Sequence, residues 1–273
     1  MISIRTDLAL EARELYKQQQ NREVPGVEVR VVDKGEVKVT KVSITNQDGA
    51  KNMGKPMGNY ITIEAPGLRE RDRITENVAS HALKEQLREL ISLNNETKIL
   101  VIGMGNWNVT PDALGPRVTS KLMVTSHLMK IMPDKVERGL RSVSALAPGV
   151  LGITGMETSE IVQGIVEKTR PDVIIAIDAL ASRNMDRIST TIQLADTGIS
   201  PGSGVGNKRL GLNKEILGVP VIAIGVPTVI DATTLANDTL DHLLSAMAEQ
   251  AREGSAIYNI LSDMDKEEKV RLI

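Results

Sequence analysis

Short apolar runs rich in β-branched residues constrain this chain more than any other feature. Lys98-Ile-Leu-Val-Ile-Gly103, Asp172-Val-Ile-Ile-Ala-Ile-Asp178 and Val219-Pro-Val-Ile-Ala-Ile-Gly225 have almost no polar residue in their interiors. A strand apolar on both faces must be covered on both, which is the situation of parallel strands inside an α/β sheet. Amphipathic segments alternate with these runs. Residues 69–94 place Ile74, Val78, Leu83, Leu87, Leu90 and Ile91 at helical spacing among charges. Pro111 to Ile131 reads as a second helix and Met156 to Thr169 as a third, with a strand at Ser142–Val150 between them. Alternation of this kind predicts a layered, mostly parallel sheet flanked by helices, with right-handed crossovers.

The N-terminal part has a different rhythm. Val27 to Thr45 alternates apolar and polar residues around Asp33-Lys34-Gly35, which predicts a hairpin. Tyr60-Ile-Thr-Ile-Glu64 reads as a further strand, reached through a Gly/Lys/Asn-rich loop at 48–59. With no internal repeat and no long linker, the expectation is one α/β domain over 1–273. Residues 1–66 form its β-rich elaboration and 67–273 its core.

Composition excludes several function classes. A formal charge of −2 gives no basic stripe for nucleic acid, and the absence of Phe, with one Trp and three Tyr, leaves little for base stacking. There is no Cys, so disulfides and thiolate metal sites are out, in keeping with a reducing compartment. The charged N-terminus and the lack of a membrane-length apolar run predict a soluble, cytoplasmic protein.

The candidate chemistry lies where two apolar runs end. After Val101-Ile-Gly103 the chain reads Met-Gly-Asn-Trp-Asn-Val-Thr-Pro-Asp112. A dinucleotide fingerprint would need glycine at 108, where Asn108 stands, so the glycine pair Gly103/Gly105 alone is weak support for a nucleotide site. Thr110 and Pro111 read as N-cap and first helical residue, and Asp112 could simply complement the helix dipole. Asp178 ends a run so apolar that its strand belongs in the middle of the sheet, at the carboxyl end where α/β sheets place their ligand crevice. It could be a buried cap to a backbone amide. If the two strands are neighbours, Asp112 and Asp178 share one crevice, and repulsion leaves a proton on one of them, making an acid/base pair.

Other candidates are weaker. His81 falls on the apolar face of its helix, where packing is the ordinary role, and His127 and His242 lie on helix bodies. No HxxxH or HExxH pattern occurs, and no serine has an obvious base beside it in the sequence. The glycine-rich stretch 196–211 lacks GK[ST]. It reads either as a surface loop or as a flap beside the crevice that receives an extended peptide.

At these residues the chain resembles the germination proteases of endospore-forming bacteria. The resemblance is carried by SIRTDLALEA, GNWNVTPDALGP, APGVLGITGMETSEI, DVIIAIDALASR, ADTGISPGSGVGNKR and GVPTVIDA, which together span nearly the whole chain. It implies a hydrogenase-maturation-protease-like fold, a homotetramer in the spore core, and an endopeptidase that degrades small acid-soluble spore proteins by cutting after a glutamate. It implies an aspartic site whose acids match Asp112 and Asp178, with no cofactor, membrane or nucleic-acid partner and with substrate-binding residues unassigned. It also implies a zymogen whose pro-segment ends just before the Arg5–Ala9 region, and a chain that continues past Ile273. Related hydrogenase-maturation endopeptidases hold a metal between comparable acids with a histidine's help. No histidine here stands in such a motif, which argues for a metal-free site. A metal-dependent maturation endopeptidase of the hydrogenase-processing type, sensing nickel, and a nucleotide-binding module remain the alternatives.

Overall fold

The computed structural model describes residues 6–137, 139–199 and 211–230, with single positions at 232, 235 and 239. Arg5–Val229 forms one compact unit, and the architecture below is that unit's. Its strands are β1 (Val27–Asp33), β2 (Lys38–Ile44), β3 (Gly58–Glu64), β4 (Lys98–Gly103), β5 (Ser142–Leu146), β6 (Val173–Ser182), β7 (Thr191–Ala195) and β8 (Val221–Ile230). They form one 8-stranded sheet in the order β1-β2-β3-β7-β8-β6-β4-β5. The helices are α1 (Ala9–Gln20), α2 (Gln47–Met53), α3 (Arg73–Leu90), α4 (Leu114–Lys121), α5 (Ser126–Ile131), α6 (Leu151–Thr154), α7 (Thr158–Thr169) and α8 (Lys214–Leu217).

The expectation of a mostly parallel sheet is corrected. β4 pairs in parallel with β5 and β6, but β1–β2, β2–β3, β3–β7 and β7–β8 are antiparallel. The N-terminal hairpin is continuous with the main sheet, because β3 pairs with β7 from Tyr60↔Ala195 to Glu64↔Thr191. The physical reason is that an apolar run reports cover on both faces and carries no information about strand direction. β8 is largely buried on both faces and still runs antiparallel to β7.

Alternation on the strands divides the core into two layers. Ile61, Ile63 and Val39 pack with Ala79 and Ala82 of α3, and Val173 and Ile222 pack beneath Ile91 just after that helix. Residues of opposite parity, among them Tyr60, Val42, Ile102 and Ile174, meet Leu8, Ala9, Met53, Val162 and Val166 from the segments of α1, α2 and α7. The helix starts with Asp72, whose carboxylate accepts the Thr75 N–H at 2.8 Å. Its buried stripe runs through Thr75, Ala79 and Ala82, while Ile74 is exposed.

Three local expectations also change. The 48–59 loop contains α2, capped by Asn46, whose side chain accepts the Gly49 N–H at 2.9 Å. The Pro111–Ile131 helix is broken into a 3₁₀ turn at Thr110–Asp112, then α4, then α5. Between α4 and α5, Thr125 is held by β5: its N–H donates to Val143 O at 3.0 Å and its hydroxyl accepts the Val143 N–H at 2.9 Å. Leu122 is extended at the end of α4, and the bonds to Val143 hold Thr125 at φ −124° and ψ −14°, outside the helical range, where the helix would have continued. His81 is exposed and not packed, with Nδ1 against Asn77 O.

Candidate active site

β4 and β6 are neighbours, so the condition for a shared crevice is met. Gly103 stands opposite Ile177, and the next amide, Met104 N–H, donates to Ile177 O at 2.7 Å. The chain then reverses at Gly105, whose φ of 111° is open to glycine and where a Cβ would collide with the Asp112 carbonyl. Within the loop so formed, the Asp112 carboxylate accepts the Asn106 N–H at 2.7 Å, and Asp112 N–H donates to Val109 O at 2.8 Å. From β8, the Thr228 hydroxyl donates to Pro111 O at 2.6 Å and pins the turn from the other side. Gly115 lets α4 lie directly on the strands, because a Cβ there would strike the backbone of Met104 and Ile177.

These contacts explain the glycine pair without a nucleotide. The glycines allow the 106–115 segment to fold back onto β4 and β6, and the Asn106 amide that could have met a phosphate is spent on Asp112. Thr110 does not cap the turn with its side chain; Val109 occupies the N-cap position.

Asp178 lies within β6 and is 8 % exposed. Burial pushes its carboxyl up from the usual 3.8 to about 7; the Ala179 N–H, donating to Asp178 Oδ1 at 2.8 Å, opposes this, and the charges of Asp112 and Asp7 add to it. Its proton is therefore held well above the usual carboxylate range, towards neutral pH. Asp112 is partly buried and lines the same cavity, of about 670 Å³. A desolvated carboxyl that keeps a proton beside a second carboxylate can donate to a leaving group while its partner activates water.

Reading the sequence did not single out two further charged residues in this cavity, Asp7 and Lys55. Lys55 Nζ donates to Asp7 O at 2.9 Å. Desolvation lowers the proton affinity of the ammonium, and the charges of Asp7 and Glu11 oppose that shift. Asp7 precedes α1, where an acid reads as an ordinary helix-start residue, and Lys55 sits after a short helix that was itself not expected. Only its position in SIRTDLALEA marks Asp7 at all. Tyr60 also lines the cavity: its hydroxyl donates to Pro56 O at 2.9 Å, accepts the Thr197 hydroxyl at 3.2 Å and is pushed up to about 12 by burial.

Of the flap candidate 196–211, Thr197, Gly198 and Ile199 line the cavity and 200–210 lie outside the described residues. His127 is exposed, neither it nor His81 lines the cavity, and His242 lies outside the described residues. Among the described residues no group of three His, Cys, Asp or Glu side chains is placed to share an ion. No helix among the described residues is long and apolar enough to cross a membrane.

Fold and cavity together define the class: a mixed α/β protein whose acid-lined crevice opens where β4 ends, alongside Asp178 within β6. The profile of the germination protease family matches residues 6–271. The chain is 55 % identical over its whole length to a germination protease of Caldanaerobacter subterraneus subsp. tengcongensis, covering 83 % of that protein. It is 54 % identical to one from Clostridium perfringens, covering 84 % of it, and 50 % identical over 92 % of this chain to one from Bacillus velezensis, covering 70 % of it. The chain belongs to the germination protease family, and it is a peptidase.

Proposed function

We propose that this peptidase is an aspartic-type endopeptidase in which Asp112 and Asp178 share a proton and activate water. The observation that carries the reading is Asp178, pushed up to about 7 inside the cavity it shares with Asp112. In the working state one carboxylate of the pair draws a proton from water as the water attacks the scissile carbonyl. The other delivers its proton to the departing amine. Which acid carries the proton is a property of the pair. The protein substrates are the small acid-soluble spore proteins of the germinating spore core, cut after a glutamate, and the working assembly is a homotetramer, in line with the closed symmetry usual for homo-oligomers.

The test is direct. A purified small acid-soluble spore protein is incubated with the enzyme and the new termini are mapped by mass spectrometry. A single early cut following a glutamate supports the reading. An intact substrate, or scattered cuts that survive Asp178→Asn, counts against it.

A further inference from the structure

The carboxyl end of β6 receives, besides its neighbouring strands, the segment 6–11. Asp7 donates its N–H to Ala181 O at 2.9 Å, and its Oδ2 accepts the Ala181 N–H at 2.8 Å. Glu11 accepts the N–H groups of Arg183 and Asn184 at 2.7 and 3.0 Å and the Ser182 hydroxyl at 2.7 Å. Gln193, buried on β7, spends both ends of its amide on the same segment. Its Nε2 donates to Asp7 O at 3.0 Å and its Oε1 accepts the Ala9 N–H at 2.7 Å. Leu8, at the N-cap of α1, offers no capping side chain, so Gln193 supplies from the sheet what the helix start lacks.

We infer that Gln193 is a positioning residue: it fastens residues 7–9 to the sheet so that the Asp7 carboxylate stands in the cavity with Asp112 and Asp178, and its negative charge keeps one proton on that pair. The inference rests on the aspartate-pair reading. Among the described residues, the titratable groups facing the pair across the cavity are Asp7, Lys55 and Tyr60, and Glu11 lies within electrostatic reach of Lys55. The charge of Asp7 acts in the required direction on Asp178. Lys55 opposes it in proportion to its own protonation.

A like charge makes a neighbouring acid hold its proton to higher pH, so removing it lets the proton leave at lower pH. The experiment is kcat/KM against pH for a peptide substrate, with the full chain. Asp7→Asn should move the alkaline limb about one pH unit downward. Gln193→Met keeps side-chain length but loses both bonds; it should move the same limb in the same direction by a smaller amount, lowering kcat at neutral pH more than it changes KM. A structural defect alone would lower activity at every pH without moving the limb, and circular dichroism checks that each variant is folded. A wild-type limb in folded Asp7→Asn, in an enzyme that Asp178→Asn inactivates, overturns the inference and leaves the pair standing. A wild-type profile in Gln193→Met overturns the clamp. Full activity in Asp178→Asn overturns both readings.

Discussion

Two buried carboxylates lie near the carboxyl end of β6, and they are treated in opposite ways. Glu11 is 1 % exposed and surrounded by donors: two backbone amides, the hydroxyls of Thr6 and Ser182, and the guanidinium of Arg187 at 3.2 Å. Arg187 in turn binds Glu14 and Glu64 at 2.7 and 3.0 Å. Asp178, at 8 % exposure, accepts one backbone amide at 2.8 Å, faces other carboxylates, and has its carboxyl pushed up to about 7. The first arrangement satisfies a charge so that it holds the N-terminal segment against the sheet. The second leaves a carboxyl short of donors, at a cost in stability, and makes it able to exchange a proton near neutral pH.

The largest expected effect tests the reactive member. Asp178→Asn and Asp112→Asn should each reduce kcat by about a thousandfold, the scale of general acid–base catalysis, with unfolding still cooperative. Near-wild-type turnover in either would erase the distinction between the two regions.

The next effect is on stability and has an unusual sign. The Asp178 carboxyl is raised in the folded state from 3.8 to about 7, so the folded form binds a proton that the unfolded chain releases. Its penalty is absent below about pH 4, grows as pH rises to about 7 and is constant above that. Asp178→Asn should therefore gain stability relative to wild type between pH 4 and pH 8, by up to about 4 kcal/mol. Urea unfolding at both pH values measures it, and a pH-independent difference would mean that the carboxyl is not raised.

Arg187→Ala should behave in the opposite way and lose about 3 kcal/mol, the low end for breaking a buried pair because Glu14 and Glu64 keep some contact with water. Chemical denaturation reads it; a loss below about 0.5 kcal/mol would class the cluster with ordinary surface pairs. The smallest expected effect is none. Chelator treatment should leave peptidase activity unchanged, and activity lost to chelation and restored by one divalent ion would replace the pair mechanism with a metal one.

How far each region was legible follows from how local its causes are. An uninterrupted run such as Val173–Ile177 needs a dry environment on both faces whatever its partners, so the strand and its central place were readable from residues alone, whereas β6 runs on to Ser182 and Asp178 lies within it and not at its end. The Asp33-Lys34-Gly35 turn was readable for the same reason: Asp33 Oδ1 accepts the Gly35 N–H at 2.8 Å within the turn itself. The helix break before Thr125 was not, because the bonds that cause it come from β5.

Strand direction and the full content of the cavity belong to the tertiary structure. Apolar periodicity says which faces are covered, but β3 chooses β7, and β7 chooses β8, through backbone pairings such as Tyr60↔Ala195 and Gln193↔Gly225 between residues far apart in the chain. Asp7 enters the site through Ala181 and Gln193, and Lys55 through a helix too short to show a period. Sequence by itself determined the apolar strands, the burial of Asp178 on β6 and the reversal at Gly105 that is followed by Asp112, since each depends on neighbours a few residues away. Only the fold decided that a third carboxylate and a lysine share their cavity, because hydrogen bonds to distant backbone leave no spacing in the chain by which they could be read.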